Sequence, residues 1–411
     1  MSQLDLIVYG ATSFVGQILC RTLIDVPGVK WAMAGRSEAK LRALRDSMGL
    51  QAAKLELIIA EASEAPALRA MCERAKVIIS TVGPYALYGS TLVEVCAATG
   101  TDYCDLTGET QWIRKMIDRH QAAAKASGAR IVHCCGFDSL PSDLGVHLVQ
   151  GRAMKEFGHP CIRVKTRVKL MRGGVSGGTF ASMLNLAKES ARDSALRREL
   201  GNPYSLCPEG PTRASVRQPD ANTPKWDGDF KAWQAPFVMA AINTRVVHRT
   251  NALLAHRYGH DFLYDEAMLT GTGAAGWARA SGLTVGLVGL LGASAVPPMR
   301  WGLERFVLPK PGEGPSPQAQ AMGYFDFRIL GSGNGFRVSA KITGDRDPGY
   351  GSTARMVAQA GLCLAMDVPK REGGFWTPAA LMGDVLIDRL VANAGLTFEI
   401  VDTEATPRSA A

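Results

Sequence analysis

The stretch GATSFVG at residues 10–16 has the residue types and the spacing that hold a phosphate-rich ligand. A glycine at position 10 permits a tight turn, a small residue at 13 lets the main chain approach a pyrophosphate, and a glycine at 16 lets the next helix pack closely. Backbone N–H groups at the start of that helix would then face phosphate oxygens. Serine replaces the more common glycine at the middle position, but it is also small and can donate to a phosphate. The stretch predicts a dinucleotide site formed by Gly10, Thr12, Ser13, Phe14, Val15 and Gly16.

A second feature of this predicted site is the sequence AGRS at 34–37, at the end of the next apolar run. An Asp or Glu at this place usually binds the ribose 2′-hydroxyl of NAD, whereas an Arg accommodates the 2′-phosphate of NADP. Arg36, with Ser37 and with Lys40 one helical turn further on, would form a cationic clamp for that phosphate. The sequence therefore favours NADP(H) over NAD(H).

Two further loops are predicted to face the same cofactor. Because the carboxyl ends of parallel strands meet the ligand at one edge of such a sheet, loops that follow the strands should lie near the ribose and the nicotinamide. The predicted residues are Thr81, Val82, Gly83 and Pro84 in the first loop, and Cys135 and Gly136 in the second.

Tyr85 and Asp138 are the side chains of these loops that could do acid–base chemistry. Tyr85 could donate a hydrogen bond to a developing oxyanion. Asp138 could relay a proton if burial raised its pKa, although it could instead cap the helix that starts near Pro141. The seven histidines are dispersed and no HExxH pattern or Cys/His cluster occurs, so we predict no metal site.

Alternating strands and helices must position these loops. Apolar runs of strand length at 4–9, 29–34, 55–60, 75–81 and 130–134 are separated by segments in which apolar residues recur at helical spacing. This alternation is typical of βαβ units and a parallel sheet. We therefore predict an α/β protein with an N-terminal NADP-binding Rossmann domain over residues 1–150.

The pattern changes after residue 150. Alternation at 161–171 predicts a strand, 201–236 is predicted to be a long loop, and 237–247 and 324–342 are predicted to be further sheet. We predict a second, α+β domain over 151–344 that binds substrate or mediates dimerisation. Helices over 345–411 are predicted to pack back on the Rossmann domain.

Charge and cysteine content narrow the class of protein. The 411-residue chain has a formal net charge of +8, but its Lys and Arg residues are scattered and no zinc-finger or RNP pattern occurs, so we expect no nucleic-acid partner. The nine cysteines include no CxxC pair, and no secretory signal precedes the first predicted strand. We therefore expect a cytoplasmic protein.

Residues 281–296 form an apolar, glycine-rich segment that is shorter than the about 20 residues a membrane-spanning helix needs. Two interpretations stay open. The segment could touch lipid or a partner at the surface, which would make the protein peripheral to a membrane. It could instead be a buried core helix or the contact helix of a homodimer.

The sequence resembles the saccharopine dehydrogenase-like oxidoreductases, and among them the trans-acting enoyl reductases. The resemblance implies a Rossmann domain, a saccharopine-reductase-like second domain and NAD(P)H-dependent reduction. For the enoyl reductases it further implies an unsaturated acyl chain, carried by a lipid-synthesising polyketide synthase, as the substrate. The motifs that carry the resemblance are GATSFVG, AGRS, TVGPYALYG at 81–89, DYCDLTGE at 102–109, CCGFDSLPSDLG at 134–145, PGEGPS at 311–316 and DPGYGSTARM at 347–356.

Three functions remain open on the sequence. The first is NAD(P)H-dependent reduction of an enoyl or related hydrophobic acyl substrate, either a small molecule or carrier-bound. The second is a saccharopine-reductase-like oxidoreductase for C–N bonds of an amino-acid substrate, which would need arginines such as Arg163, Arg167 and Arg172 to bind two carboxylates. The third is a non-enzymatic, lipid-associated protein with a nucleotide-binding fold.

Overall fold

Two β-sheets organise the protein in a computed structural model, which describes residues 3–174, 177–210, 216–306, 314–369 and 371–405. The strands in chain order are β1 (Leu4–Tyr9), β2 (Trp31–Gly35), β3 (Glu56–Ile59), β4 (Ala75–Ser80), β5 (Asp102–Asp105), β6 (Arg130–Val132), β7 (Arg163–Arg172), β8 (Lys225–Asp227), β9 (Ala232–Pro236), β10 (Leu263–Gly271), β11 (Tyr324–Gly333), β12 (Phe336–Gly344), β13 (Gly374–Trp376) and β14 (Leu396–Ala405).

Helices cover and connect these sheets. A 3-10 turn at Leu50–Ala52 and a π-helical turn at Pro348–Ser352 add to the α-helices. The α-helices are α1 (Phe14–Ile24), α2 (Glu38–Ser47), α3 (Ala65–Cys72), α4 (Tyr85–Tyr88), α5 (Ser90–Thr99), α6 (Thr110–Ser127), α7 (Leu140–Phe157), α8 (Gly177–Arg192), α9 (Ser194–Leu200), α10 (Ala240–Leu253), α11 (Gly273–Ala295), α12 (Pro297–Phe306), α13 (Pro317–Ala321), α14 (Thr353–Met366), α15 (Pro378–Leu381) and α16 (Gly383–Asn393).

The first sheet is parallel throughout and has the order β13-β6-β5-β4-β1-β2-β3. Leu6, Ile7 and Val8 of the central strand β1 are fully buried, as expected for a parallel sheet with helices on both faces. From β1 the chain moves outward through β2 and β3 on one side and through β4 to β6 on the other. This reversal of strand order opens a crevice between β1 and β4 at the carboxyl edge, where such sheets bind ligands.

The second sheet has the order β14-β12-β11-β7-β10-β9-β8 and is mixed, since β7 and β10 run parallel and the other neighbours antiparallel. Helix α7, which directly follows the first sheet's β6, packs on β11 and β12. Phe137, just before α7, places its ring 4.9 Å from that of Phe325 and 5.6 Å from that of Phe327. The two sheets are therefore joined by a buried aromatic cluster.

Three parts of the predicted secondary structure differ from the fold. The predicted long loop 201–236 contains β8 and β9, because β9 pairs with β10 at the edge of the second sheet and β8 pairs with β9. Residues 237–247 were predicted to be sheet, but α10 covers most of them. Their β-branched residues favour a strand locally, whereas burial of Ile242, Asn243 and Val246 against α7 and β10 favours a helix. The C-terminal segment 345–411 supplies not only helices but also β13, which pairs with β6, and β14, which pairs with β12.

Candidate functional site

A cavity of about 1280 Å³ begins at the carboxyl edge of the first sheet and extends along the second. The first sheet contributes the start of α1 and the loops after β4, β5 and β6. The other walls come from α8, α10, α11 and the loops at 200–204 and 216–222. The cavity can therefore hold a dinucleotide at one end and an apolar ligand at the other.

The turn between β1 and α1 has the shape expected of a phosphate cradle. Gly10 has a φ of +85°, and a Cβ atom there would lie 2.6 Å from Val82 Cγ2. A Cβ atom at Gly16 would lie 2.3 Å from the Gly10 carbonyl oxygen, so both positions require glycine. Ser13 Oγ accepts a hydrogen bond from Gly16 N at 2.9 Å and lies 2.9 Å from Thr81 Oγ1.

The predicted loop residues divide into those that line the cavity and those that shape it. Residues of α1's first turn have backbone N–H groups with no partner inside the helix, so the cavity-lining ones fit a pyrophosphate. Lining residues are Ser13, Phe14, Val15, Thr81, Gly83 and Pro84, whereas Gly10, Thr12, Gly16 and Val82 lie outside the lining.

Phe14 is covered by segments that are distant in sequence. The Tyr350 ring lies 4.8 Å from the Phe14 ring, and a Cβ atom at Gly314 would lie 2.5 Å from that ring. Tyr350 also accepts a hydrogen bond from Gly177 N at the start of α8. Residues 311–313 of the PGEGPS motif lie outside the described residues. The DPGYGSTARM motif thus contributes to the cofactor end of the cavity.

Arg36, Ser37 and Lys40 lie where β2 ends and α2 begins, next to the β1 turn. Arg36 and Lys40 are exposed, while Ser37 Oγ caps α2 by accepting from Lys40 N at 3.4 Å. Burial and the charge of Glu61 raise the pKa of Tyr9 to about 12. Arg36 is close enough to Tyr9 that its positive charge opposes this rise. Arg36 and Lys40 therefore reach solvent beside the β1 turn, outside the lining of the cavity.

Glu109 holds the loop after β4 and is not among the site residues predicted from the sequence. Its buried carboxylate accepts hydrogen bonds from Tyr85 N at 2.8 Å, Ala86 N at 2.9 Å and Ser182 Oγ at 2.7 Å. Because Ser182 belongs to α8, Glu109 connects the two ends of the cavity. Its position at the end of the DYCDLTGE motif, just after β5, was the available signal.

Tyr85 lines the cavity, but its hydroxyl group is held in the core. The hydroxyl donates to the Ser80 carbonyl at 3.0 Å, and the ring packs 5.4 Å from that of Trp112. Burial, with the charge of Asp105, raises the Tyr85 pKa well above its ordinary value. The expected role as an oxyanion donor does not fit this geometry, because the hydroxyl is engaged in the core.

Asp138 lies in the loop before α7 and does line the cavity. A Cβ atom at Gly108 would lie 3.7 Å from Asp138 Oδ2, so the carboxyl group lies beside the Gly108 backbone. Desolvation raises the Asp138 pKa to about 7. The residue flanking α7 is Ser139, and it makes no side-chain capping bond, so capping does not account for Asp138.

Cys135 and Gly136, also predicted to touch the cofactor, lie outside the cavity lining. Cys135 is buried, and its N–H donates to the Asp105 carbonyl at 2.8 Å. A Cβ atom at Gly136 would meet Leu106 at 3.1 Å and Thr353 at 3.3 Å. Both residues shape the loop that carries Asp138. In the described part of the chain, no group of three His, Cys, Asp or Glu side chains is arranged to hold a metal ion.

The second-domain end of the cavity is apolar with a buried acid at its wall. Burial raises the pKa of Glu266, whose carboxylate accepts from the Tyr264 hydroxyl and, at 2.8 Å, from Asn243 Nδ2. The apolar lining includes Met183, Leu186, Val238, Ile242, Leu287 and Leu291.

Comparisons with known proteins agree with this architecture. The model of the saccharopine dehydrogenase NADP binding domain matches residues 6–132. A Mycobacterium tuberculosis protein named as a candidate trans-acting enoyl reductase is 40% identical over 411 residues, covering 97% of both chains. A Mycobacterium leprae trans-acting enoyl reductase is 37% identical over 404 residues, covering 94% of this chain and 96% of the relative.

The solved structure of apo saccharopine dehydrogenase (L-Glu forming) from Saccharomyces cerevisiae has the same fold. It matches with a TM-score of 0.56 at 12% identity, covering 98% of this chain and 100% of that one. The predicted Rossmann domain with a saccharopine-reductase-like second domain is confirmed. The predicted preference for NADP(H) is confirmed as well, and the chain is an NAD(P)-dependent oxidoreductase.

Proposed function

We propose that this chain, which belongs to the trans-acting enoyl reductase family, uses NADPH to reduce the carbon–carbon double bond of a hydrophobic enoyl thioester. The observation that carries the proposal is Asp138, an acid with a pKa raised to about 7 that faces an apolar cavity continuous with the dinucleotide loop. This combination suits a reaction that delivers a hydride and a proton to an uncharged double bond.

The residues of the first sheet fit the cofactor. The α1 turn would hold the pyrophosphate, and Arg36 with Lys40 would hold the 2′-phosphate. When bound, NADPH supplies the hydride that forms the new C–H bond at the β-carbon. Glu109 holds the loop of Thr81 to Tyr85 in place by accepting hydrogen bonds from Tyr85 N and Ala86 N, and this loop would lie against the nicotinamide end of the cofactor.

Asp138 would supply the second hydrogen. As the β-carbon gains the hydride, electron density moves towards the α-carbon and the thioester oxygen, and Asp138 donates its proton to the α-carbon. The double bond becomes a single bond, and Asp138 is left as a carboxylate. Its apolar surroundings disfavour that charged form, so it regains a proton from water before the next turnover.

The arginines considered for an amino-acid substrate are already engaged. Arg167 forms ion pairs with Asp227 at 2.8 Å and with Asp265 at 2.6 Å, and Arg163 pairs with Asp265 at 2.9 Å. Arg172 is exposed, and none of the three lines the cavity. These contacts disfavour the three arginines as ligands of an amino acid with two carboxylates. Arg217 and Arg245 do line the cavity, but Arg245 already donates to the Ala241 and Leu200 carbonyls.

We further propose that the acyl chain is presented as a small thioester or on a carrier, and that the protein is cytoplasmic. The cavity has room for an acyl chain beside the dinucleotide, because its volume exceeds the about 300–1,000 Å³ typical of a single small ligand. All nine cysteines are free and buried, which supports a reducing compartment.

The experiment is NADPH oxidation by the purified protein with crotonyl and longer enoyl thioesters. We expect turnover that increases with chain length, and none with the matching saturated thioesters. NADPH oxidation with an oxo acid plus an amino acid, but not with enoyl thioesters, would favour the C–N oxidoreductase. Absence of NADPH binding by fluorescence would rule out both enzymes and favour a non-enzymatic role.

A further inference from the structure

Helix α11 leaves most of its apolar surface in contact with solvent. One side packs on β9, β10 and α8, whereas only 11% of the apolar stretch Gly273–Ser294 is buried. Val285 is 71% exposed and Val288 is 64% exposed. Single exposed apolar residues are ordinary, but a continuous series marks an interaction surface. The predicted alternative that 281–296 is a buried core helix is therefore wrong.

Tryptophans lie at both ends of this surface. Trp277, the fifth residue of α11, is 52% exposed, and Trp301 of the adjoining helix α12 is 61% exposed. Tryptophan is enriched where apolar surface meets the headgroup region of a bilayer. Large exposed apolar side chains of α11, α12 and the residue between them are Trp277, Leu283, Val285, Val288, Leu291, Val296, Met299 and Trp301, which together we term the apolar surface.

The charged residues within the segment that forms the apolar surface are both basic. Over residues 273–303 the only charged residues are Arg279 and Arg300, and Glu304 and Arg305 follow as an opposite pair. Arginines at the margin of an apolar surface can reach anionic headgroups while their stems stay against apolar groups. Residues 273–303 thus carry two arginines and no acid, so their charge pattern favours anionic lipid over a second copy of the same segment.

The apolar surface is continuous with the wall of the cavity. Leu287 and Leu291 line the cavity, and Leu291 is also among the exposed residues. Helix α11 is therefore apolar on the side that faces the cavity and on the side that faces solvent. If the proposed acyl substrate is correct, its chain could pass from lipid to the cavity along Leu291 with little exposure to water.

We propose that the apolar surface of α11 and α12 docks on an anionic lipid bilayer and holds the protein at its periphery. The packing favours a peripheral orientation over a membrane-spanning one. Strands β9 and β10 lie against one side of α11, so they would have to enter the bilayer if α11 crossed it. Docking depends on this surface alone and does not require the proposed reductase activity.

The test is flotation of the full chain with vesicles of phosphatidylcholine alone or with phosphatidylserine, in the absence of substrate. We expect binding to the anionic vesicles and at least a tenfold loss for the variant Val285→Asp/Val288→Asp. The matched control is Val391→Asp, which places a charge at an exposed valine of α16 outside the apolar surface. NADPH binding by each variant reports whether it has folded.

A second variant, Arg279→Gln/Arg300→Gln, should lose the preference for anionic vesicles while keeping NADPH binding. The proposal is overturned if wild-type protein floats with neither vesicle type. It is also overturned if Val285→Asp/Val288→Asp floats as well as wild type. A third contrary result is a wild-type chain that does not bind lipid but forms a concentration-dependent dimer, which this variant abolishes. The enoyl reductase proposal stands or falls separately on turnover with soluble thioesters.

Discussion

Replacing Asp138 with asparagine removes the proposed proton donor while keeping its size, and we expect kcat for enoyl reduction to fall by about 10²–10⁴-fold. Burial raises the Asp138 pKa from 3.8 to about 7. At pH 7 an aspartate with the ordinary pKa would carry a proton in roughly one molecule in a thousand, whereas a pKa of about 7 keeps about half protonated. The raised pKa therefore supplies a proton at neutral pH.

The pH dependence of kcat tests the same point. Because Asp138 must be protonated, kcat should be constant below about pH 7 and should fall about tenfold per pH unit above it. The assay is NADPH oxidation at saturating NADPH and enoyl thioester across this range. In the Asp138→Asn variant the remaining activity should have no such decline, while NADPH binding should be unchanged.

Asp138→Asn should raise the stability of the folded state although it lowers kcat. The folded state holds the Asp138 proton more tightly than the unfolded state does, so its stability is greatest below the ordinary pKa and falls as pH rises towards about 7. The shift corresponds to at most about 4 kcal/mol, and water in the cavity reduces that figure. Asp138→Asn should thus raise the free energy of unfolding above pH 7, as measured by urea denaturation.

Asp143 provides the matched control. Burial raises its pKa to about 7 as well, but its carboxylate accepts from Thr250 Oγ1 and from Ala379 N at 2.8 Å and does not line the cavity. Asp143→Asn should therefore keep the decline of kcat above pH 7. If Asp138→Asn keeps both the wild-type kcat and the decline, Asp138 is not the proton donor.

Three further variants test the cofactor end of the cavity. Arg36→Ala should weaken NADPH binding about 10–100-fold with little effect on NADH, and equal weakening of both in fluorescence titrations would contradict the 2′-phosphate assignment. Gly16→Ala should abolish NADPH binding because its Cβ would lie 2.3 Å from a carbonyl oxygen, whereas Gly151→Ala, which meets nothing within 4 Å, should bind normally. Glu109→Gln should lower the free energy of unfolding by about 1–3 kcal/mol and raise KM for NADPH, because an amide cannot accept all three hydrogen bonds. Ser182→Ala removes only one donor, so its effects on both quantities should be smaller. An unchanged melting temperature and KM in Glu109→Gln would contradict that role.

The cofactor turn could be predicted from the sequence because its determinants are local. Gly10, Ser13 and Gly16 lie within one strand–turn–helix unit, and the steric or hydrogen-bonding role of each can be predicted from its residue type. The contact of Glu109 with Ser182 spans 73 residues, and no local pattern encodes which α8 residue meets which loop. The direction of the Tyr85 hydroxyl was equally hidden, because it depends on how the loop after β4 folds back on Ser80.

Asp138 shows why the catalytic end is harder to predict than the cofactor end. Its loop follows β6 of the first sheet, and the adjacent Phe137 packs on Phe325 and Phe327 of the second sheet. Met239 and Ile242 of the second domain line the same cavity as Asp138. Packing of the two sheets therefore contributes to the desolvation that raises the Asp138 pKa. An isolated first domain would expose this carboxyl group to water and return its pKa towards the ordinary value, so the proposed proton donor is a product of both domains although its sequence lies in one.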